Sequence, residues 1–275
     1  MTKIDAHQHF WQFDPARDAW IDDSMEMIRR DFMPQDLAPI LKSHGITGCV
    51  AVQADQSVSE TIFLLALAKK YPFIKGVVAW LDLRAADLDQ HLARFSKHPL
   101  LKGIRHIAQA EADDFLLQKE VQNGIAQLAA YGLSYDILVY AHQLPAAIGL
   151  VAQFPEQAFV LDHLAKPKIS KGIDQDWKNH IQQLASYPNV YCKISGMVTE
   201  TDHFQWGKQD FEPFIDLVLS AFGIDRVMYG SDWPVCLLAA QYQEQLAIVE
   251  EYISSLSQTE QSKIMGANAI DFYNL

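Results

Sequence analysis

The chain has 275 residues, of which 49% are apolar and 20% charged, and its formal net charge is -12. This is the composition of an ordinary folded protein, and we predict a single domain over residues 1–275. Because an acidic surface repels phosphate backbones and anionic lipids, we expect neither nucleic acid nor a membrane as a partner.

The cysteines and the N-terminal segment indicate a cytoplasmic protein. Cys49, Cys192 and Cys236 are widely spaced and form no CxxC pair, which is typical of buried thiols in a reducing compartment. No apolar run approaches the roughly 20 residues that span a bilayer, and the N-terminus runs directly into the first predicted strand. The sequence is compatible with a monomer or a homodimer.

Runs rich in Val, Ile and Leu alternate with segments of helical period along the chain. The runs are mostly continuous, which is typical of parallel strands covered by helices. The predicted strands are residues 3–6, 48–53, 76–81, 103–107, 135–140, 159–161, 190–194 and 226–229. The clearest predicted helices between them are residues 60–70, 88–95, 146–153 and 214–222, and residues 259–275 predict a closing helix. This alternation predicts an α/β fold, a (β/α)8 TIM barrel, with an open doubly wound sheet as the alternative.

A long connection follows the first predicted strand. Residues 11–34 are polar and aromatic and separate that strand from the first helix. Since the loops that follow the strands of a barrel surround its active site, we expect this loop at the catalytic face. Trp11 is a candidate for substrate binding on this loop.

The first strand ends in a pair of histidines, His7 and His9. Residues two apart on a strand point to the same face, so both imidazoles are expected to face one point. Two neutral imidazoles in this arrangement are good ligands for Zn²⁺ or a similar divalent ion.

A third histidine and an aspartate follow later strands. His163 follows the sixth predicted strand and Asp232 the eighth. His163 alone could be a hydrogen-bonded histidine at a strand end, and Asp232 could be a helix N-cap. A barrel, however, places the ends of strands one, six and eight around one opening, which favours a joint role for His7, His9, His163 and Asp232.

Taken together, these motifs resemble the amidohydrolase superfamily, and within it the lactonase branch that includes L-fucono- and L-rhamnono-lactonases. The resemblance rests on DAHQHFW, DHLAKP and YGSDWP, supported by LKGIRHIAQ, YDILVYAHQLP and VYCKISGMVTE. It implies a metal or imidazole site formed by His7, His9, His163 and Asp232, with Asp232 as general base. Binuclear members of the superfamily bridge two metal ions with a lysine or glutamate at the position of Arg105. The resemblance therefore implies one divalent ion, with Zn²⁺ as the first candidate, or no metal ion at all.

Two cations at predicted strand ends, Arg105 and Lys193, are further candidates. Either could stabilise an oxyanion or bind substrate, and either could instead form a structural salt bridge. The predicted catalytic residues are Asp232, His163 and Arg105. The predicted substrate-binding residues are Lys193, His106, His142, Trp233 and Trp11.

The predicted function is hydrolysis of a sugar-acid lactone of the L-fucono or L-rhamnono type, a small-molecule substrate, by water that Asp232 activates. Two alternatives use the same scaffold: a 2-pyrone-4,6-dicarboxylate lactonase and a metal-dependent decarboxylase of an aromatic acid. A third alternative is a barrel that binds metal or ligand without catalysis.

Overall fold

Eight parallel strands form the centre of the molecule. A computed structural model describes residues 2–275, and each strand pairs with its neighbour in sequence, in the order β1 to β8. The strands are β1 (Lys3–Gln8), β2 (Ile46–Val52), β3 (Ile74–Ala79), β4 (Leu101–His106), β5 (Ser134–Ile137), β6 (Phe159–Leu161), β7 (Val190–Ile194) and β8 (Val227–Tyr229).

Helices follow every strand and cover the sheet. Eight of them alternate with the strands, and two short helices follow at the C-terminus. The helices are α1 (Pro34–Ser43), α2 (Val58–Lys70), α3 (Leu88–Phe95), α4 (Lys119–Leu128), α5 (Leu144–Val151), α6 (Gln175–Ala185), α7 (Glu212–Phe222), α8 (Tyr242–Tyr252), α9 (Gln258–Ser262) and α10 (Asn268–Tyr273).

The sheet closes between β8 and β1 through residues just beyond the end of β8. The Asp232 amide donates to the His7 carbonyl at 2.8 Å, and the His9 amide donates to the Trp233 carbonyl at 2.7 Å. The predicted (β/α)8 barrel is therefore confirmed, and the open-sheet alternative is wrong. The residues that close the barrel also carry the candidate catalytic side chains.

The C-terminal helix α10 closes the opposite end of the barrel. Apolar side chains inside the barrel form one cluster with Ala269 and Tyr273 of this helix. The Lys102 ammonium, near the start of β4, donates to the Asn274 carbonyl at 2.6 Å. The strand-lining members of the cluster are Ile4, Ala6, Val50, Val52, Val78, Val160 and Met228.

The strand bounds differ from the predicted ones by up to three residues. The largest difference is at β5, which ends at Ile137 instead of residue 140. Leu138 and Val139 are buried although they lie outside the strand. Their apolar character reflects packing above the end of the strand, which a hydrophobic run cannot distinguish from pairing.

The cysteines are buried and unpaired, as expected: Cys49, Cys192 and Cys236 form no disulfide with one another. Within residues 2–275, every helix is too short or too polar to cross a membrane.

Candidate active site

Four side chains meet where β1, β6 and β8 end. Nε2 of His7 and Nε2 of His9 lie 3.2 Å apart. Oδ1 of Asp232 lies 3.3 Å from Nε2 of His9 and 3.8 Å from Nε2 of both His7 and His163. The structure therefore brings together the four residues that the strand-end motifs single out.

Neighbouring groups orient two of the imidazoles. Nδ1 of His9 lies 2.8 Å from the Val52 carbonyl. Because a carbonyl only accepts hydrogen bonds, Nδ1 carries the proton and the lone pair of Nε2 faces the other histidines. Nδ1 of His163 lies 2.8 Å from the hydroxyl of Ser195, the residue that follows β7. This hydrogen bond fixes the orientation of the His163 ring.

His163 begins an unusual backbone turn. Residues 163 to 166 are four consecutive non-glycine residues with positive φ, between 50° and 58°. Each such residue costs about 1–2 kcal/mol, so other contacts must hold the turn. Trp177 of α6 donates its indole N–H to the Leu164 carbonyl at 2.8 Å. The turn directs His163 and Lys166 towards the barrel opening.

Gly196 makes room for the His163 ring. It has a φ of +63°, and a Cβ at this position would lie 2.6 Å from the imidazole. Glycine is therefore required here both for its backbone conformation and for the close approach of the ring.

A network of buried charges lies beneath the histidines. The Lys193 ammonium lies 2.6 Å from an oxygen of Asp136 and 2.9 Å from one of Asp162. Arg105 contacts the other Asp162 oxygen at 3.1 Å. Nδ1 of His7 lies 3.3 Å from Asp162 and 3.2 Å from the Lys193 ammonium. Two cations and two carboxylates thus balance one another directly under the site.

Lys193 does not reach the cavity, contrary to the prediction that it binds substrate. Its side chain is fully buried, and its ammonium is held by Asp136 and Asp162. The salt-bridge alternative fits this position.

Electrostatics keep Asp232 ionised. Burial raises its pKa, but the surrounding histidines, His163 above all, outweigh burial and hold the pKa below its usual value. Burial lowers the pKa of His163 to about 4 and that of His7 well below its usual value. At neutral pH the site therefore holds the Asp232 carboxylate beside the neutral imidazoles of His7 and His163.

An open cavity of about 330 Å³ lies over these residues. The loop of residues 11–34 forms one wall, with Trp11 and Trp20 at the cavity, as expected for a loop on this face. The lining residues are His9, Trp11, Trp20, Ala54, Gln56, Arg105, Ile107, Gln109, Ala110, Leu138, His163, Lys166, Asp232 and Val235.

Three other predicted substrate-binding residues lie outside this lining. His106 is buried against Trp80 and Glu111. His142 is exposed and pairs with Asp113 at 3.1 Å. Trp233 is buried in the packing of Phe10 and Phe32. All three lie at or beyond strand ends, but their side chains are not part of this lining.

Some lining residues carry no sequence signal. Gln56 lies in a loop without a motif, and Leu138 belongs to an apolar run that predicts only a strand, so the fold alone places them at the cavity. Asp162 could have been noticed, because it precedes His163 in DHLAKP and directly follows β6.

The donor set fits a divalent cation. His7, His9 and Asp232 place one ligand atom each within 4.8 Å of one another, and so do His7, Asp162 and His163. Ligand atoms of a tetrahedral Zn²⁺ site lie about 3.3 Å apart. The separations of 3.2 and 3.3 Å around His9 match this spacing.

Fold and site together define a barrel hydrolase with a histidine and aspartate centre. A sequence model of the family described as amidohydrolase matches residues 4–275, and the chain belongs to this family, as its motifs predict. The L-fucono-1,5-lactonase of Burkholderia multivorans is 39% identical, covering 99% of this chain and 96% of that one. The L-fucono-1,5-lactonase of Burkholderia ambifaria is 35% identical, with the same coverages. A crystal structure of an amidohydrolase from Burkholderia multivorans with bound zinc has a TM-score of 0.95, at 39% identity over 100% of both chains.

Proposed function

We propose that the protein hydrolyses the lactone ring of a sugar acid of the L-fucono or L-rhamnono type. The observation that carries the proposal is the ionised Asp232, which faces the cavity among His7, His9 and His163. The names of the two relatives that match nearly the whole chain support a lactone as substrate.

In the proposed mechanism, Asp232 accepts a proton from the attacking water. The new bond joins the water oxygen to the lactone carbonyl carbon, and the bond from that carbon to the ring oxygen then breaks. Asp232 returns the proton to the departing ring oxygen, so one carboxylate serves as base and then as acid. The water needs further activation, because a carboxylate with a lowered pKa is a weak base.

Arg105 is positioned to stabilise the oxyanion of this reaction. It lines the cavity, and one of its terminal nitrogens is held by Asp162 at 3.1 Å. Among the described residues, its buried Nε has no hydrogen-bond partner. Arg105 is thus a fixed cation beside the cavity, and such a cation stabilises charge that develops at a carbonyl oxygen.

The remaining lining suits a 6-deoxy sugar. Trp11, Ile107, Leu138 and Val235 offer an apolar surface for a methyl group and for ring C–H bonds. Gln56 and Gln109 line the same cavity and can pair with hydroxyls. This mixture favours a neutral polyhydroxylated ring.

The alternative functions have less support from the cavity. A pyrone dicarboxylate or an aromatic acid brings carboxylates that need several cations. Within residues 2–275, Arg105 and Lys166 are the cations in the lining. Arg17, Arg29 and Arg30 of the long loop instead contact Asp18, Asp23 and the Phe32 ring.

We further propose that the site holds one divalent ion, Zn²⁺ above others, with His7, His9 and Asp232 as ligands and His163 beside them. A bound divalent ion lowers the pKa of its water to about 7 and so supplies the activation that Asp232 alone lacks.

A cytoplasmic location and a monomeric or homodimeric state stay predictions.

The test is a pH-indicator assay of the purified protein on L-fucono-, L-rhamnono-, L-galactono- and D-arabino-lactones, with and without a chelator. We expect rapid acid release from a 6-deoxy lactone, loss of rate with the chelator and recovery with Zn²⁺. No turnover on any lactone, also after addition of Zn²⁺ or Mn²⁺, would contradict the proposed function. An undiminished rate after complete metal removal would contradict the metal proposal alone.

A further inference from the structure

Lys166 is the lining residue whose charge the proposed reaction does not yet use. It follows His163 in the DHLAKP motif and lies at the cavity together with Asp232. Its side chain is about one-sixth exposed, at 17%, which places it between the site and solvent. The side chain therefore lines the cavity that a substrate occupies, and its ammonium group lies 5.8 Å from the centre of the Tyr140 ring.

The electrostatic partner of Lys166 holds it loosely. Within residues 2–275, its ion-pair partner is Glu200, and the nearest nitrogen and oxygen are 3.8 Å apart. This distance is too long for a hydrogen bond. By contrast, Arg105, the other cation of the lining, contacts Asp162 at 3.1 Å and donates to the Gln53 carbonyl. Lys166 thus keeps donors that the protein leaves unused.

The backbone at Lys166 is costly, which argues for a positioned side chain. Lys166 ends the left-handed turn, with a φ of 50°, and its amide donates to the His163 carbonyl at 2.7 Å. Strained residues of this kind concentrate at functional sites, where surrounding contacts hold them. The same turn that orients His163 therefore carries the ammonium group to the cavity.

The proposed reaction creates a need for this cation. Hydrolysis turns a neutral ring into a hydroxy acid that loses a proton at neutral pH, so a carboxylate appears beside the ionised Asp232. The chain as a whole is acidic, with a net charge of -12, and repels this product. A cation in the lining offsets part of that repulsion, and Lys166 is one of the two that the described lining contains.

We infer that Lys166 forms an anion subsite that binds the carboxylate of the ring-opened sugar acid, with Glu200 as its counter-ion when the subsite is empty. This inference rests on the proposed lactone hydrolysis. It makes Lys166 selective for the charged product over the neutral lactone. A charge-assisted hydrogen bond of this kind changes affinity by about tenfold to a hundredfold.

The test is calorimetric binding of L-fuconate and of L-fucitol, its uncharged counterpart, to the purified protein and its variants. Lys166→Met should weaken L-fuconate binding by about tenfold to a hundredfold and leave L-fucitol binding unchanged. Lys166→Arg should restore L-fuconate binding. Glu200→Gln should strengthen it, because the competing carboxylate is gone.

Lys171→Met is the matched control. Lys171 also pairs with a carboxylate, Asp202, at 3.8 Å, but its side chain is exposed. L-Fuconate binding that is insensitive to Lys166→Met, or equally weakened by Lys171→Met, would overturn the inference, as would an equal loss for L-fucitol. Failure of wild-type protein to bind L-fuconate would overturn it even if a lactone is hydrolysed. Lys166-dependent binding without turnover would instead contradict the proposed function and leave the subsite standing.

Discussion

At the scale of single residues, Asp232 combines two tasks that a substitution can separate. Its amide helps to close the barrel by donating to the His7 carbonyl at 2.8 Å, and its carboxylate faces the cavity. Asp232→Asn keeps the amide and the shape of the side chain but removes the proton acceptor. We expect kcat to fall by about 10²- to 10⁴-fold while the melting temperature stays close to wild type.

The measurement is the initial rate on the lactone that the panel identifies, at saturating Zn²⁺ and with bound zinc quantified. Asp113→Asn is the control, because it removes a carboxylate from an Asp–His pair outside the cavity, with His142. It should leave kcat unchanged. A rate close to wild type for Asp232→Asn with normal zinc content would mean that another group is the base.

The difference between Asp232 and Lys193 shows what the sequence can predict at this scale. His7, His9, His163 and Asp232 could be located because strand order and strand ends alone place them at one opening. The role of Lys193 depends on Asp136 and Asp162, which lie 57 and 31 positions earlier in the chain. That pairing follows from three-dimensional packing, and a strand end gives no sign of it.

At the scale of elements, the start of α2 depends on a buried carboxyl group. Ser57 caps the helix by accepting from the Glu60 amide at 3.1 Å. The Glu60 carboxyl accepts from the Ala54 amide at 2.8 Å and holds the loop after β2. Burial raises the pKa of Glu60 to about 7.

This shift predicts that wild-type stability falls with rising pH relative to Glu60→Gln. The folded pKa of Glu60 lies above the unfolded value, so the stabilising contribution is full below about pH 4.5 and is lost as pH rises through about 7. Between these values the free energy of unfolding of wild type should fall by about 3 kcal/mol relative to Glu60→Gln.

Urea unfolding at pH 4.5, 6 and 8 measures this difference. Glu156→Gln, at an exposed position, is the control. Its free energy of unfolding should depend on pH in the same way as that of wild type. If the free energies of unfolding of wild type and Glu60→Gln differ by the same amount at every pH, the pKa of Glu60 is not raised by folding. Comparing variants at each pH cancels the contribution of other groups.

Element type was easier to predict than element bounds. Continuous apolar runs located all eight strands, whereas β5 is shorter than predicted because Leu138 and Val139 are buried without strand pairing. The left-handed turn that begins at His163 could not be predicted, since its four residues include no glycine. It is held by Trp177, which lies on a later helix.

At the scale of the whole molecule, the C-terminus is connected to the active site through the barrel interior. Tyr273 of α10 donates to Asp136 at 2.6 Å, Asp136 accepts from Lys193 at 2.6 Å, and Lys193 contacts Asp162 at 2.9 Å. Asp162 in turn lies 3.3 Å from Nδ1 of His7. The sequence predicts a helix at the end of the chain. Its position at the end of the barrel where the strands begin depends on closure of the barrel, which the sequence does not show.

Tyr273→Phe tests how much this connection stabilises the molecule. The variant keeps the ring in the apolar cluster and removes one donor from the fully buried Asp136. A hydrogen bond to a buried charge contributes about 1.5–3 kcal/mol, so the melting temperature should fall by roughly 4 to 8 °C. Tyr252→Phe is the matched control, since it also removes a Tyr–Asp hydrogen bond, to Asp216, at an exposed site. Exposed bonds contribute little, so equal melting temperatures for the two variants would show that the buried network does not depend on α10.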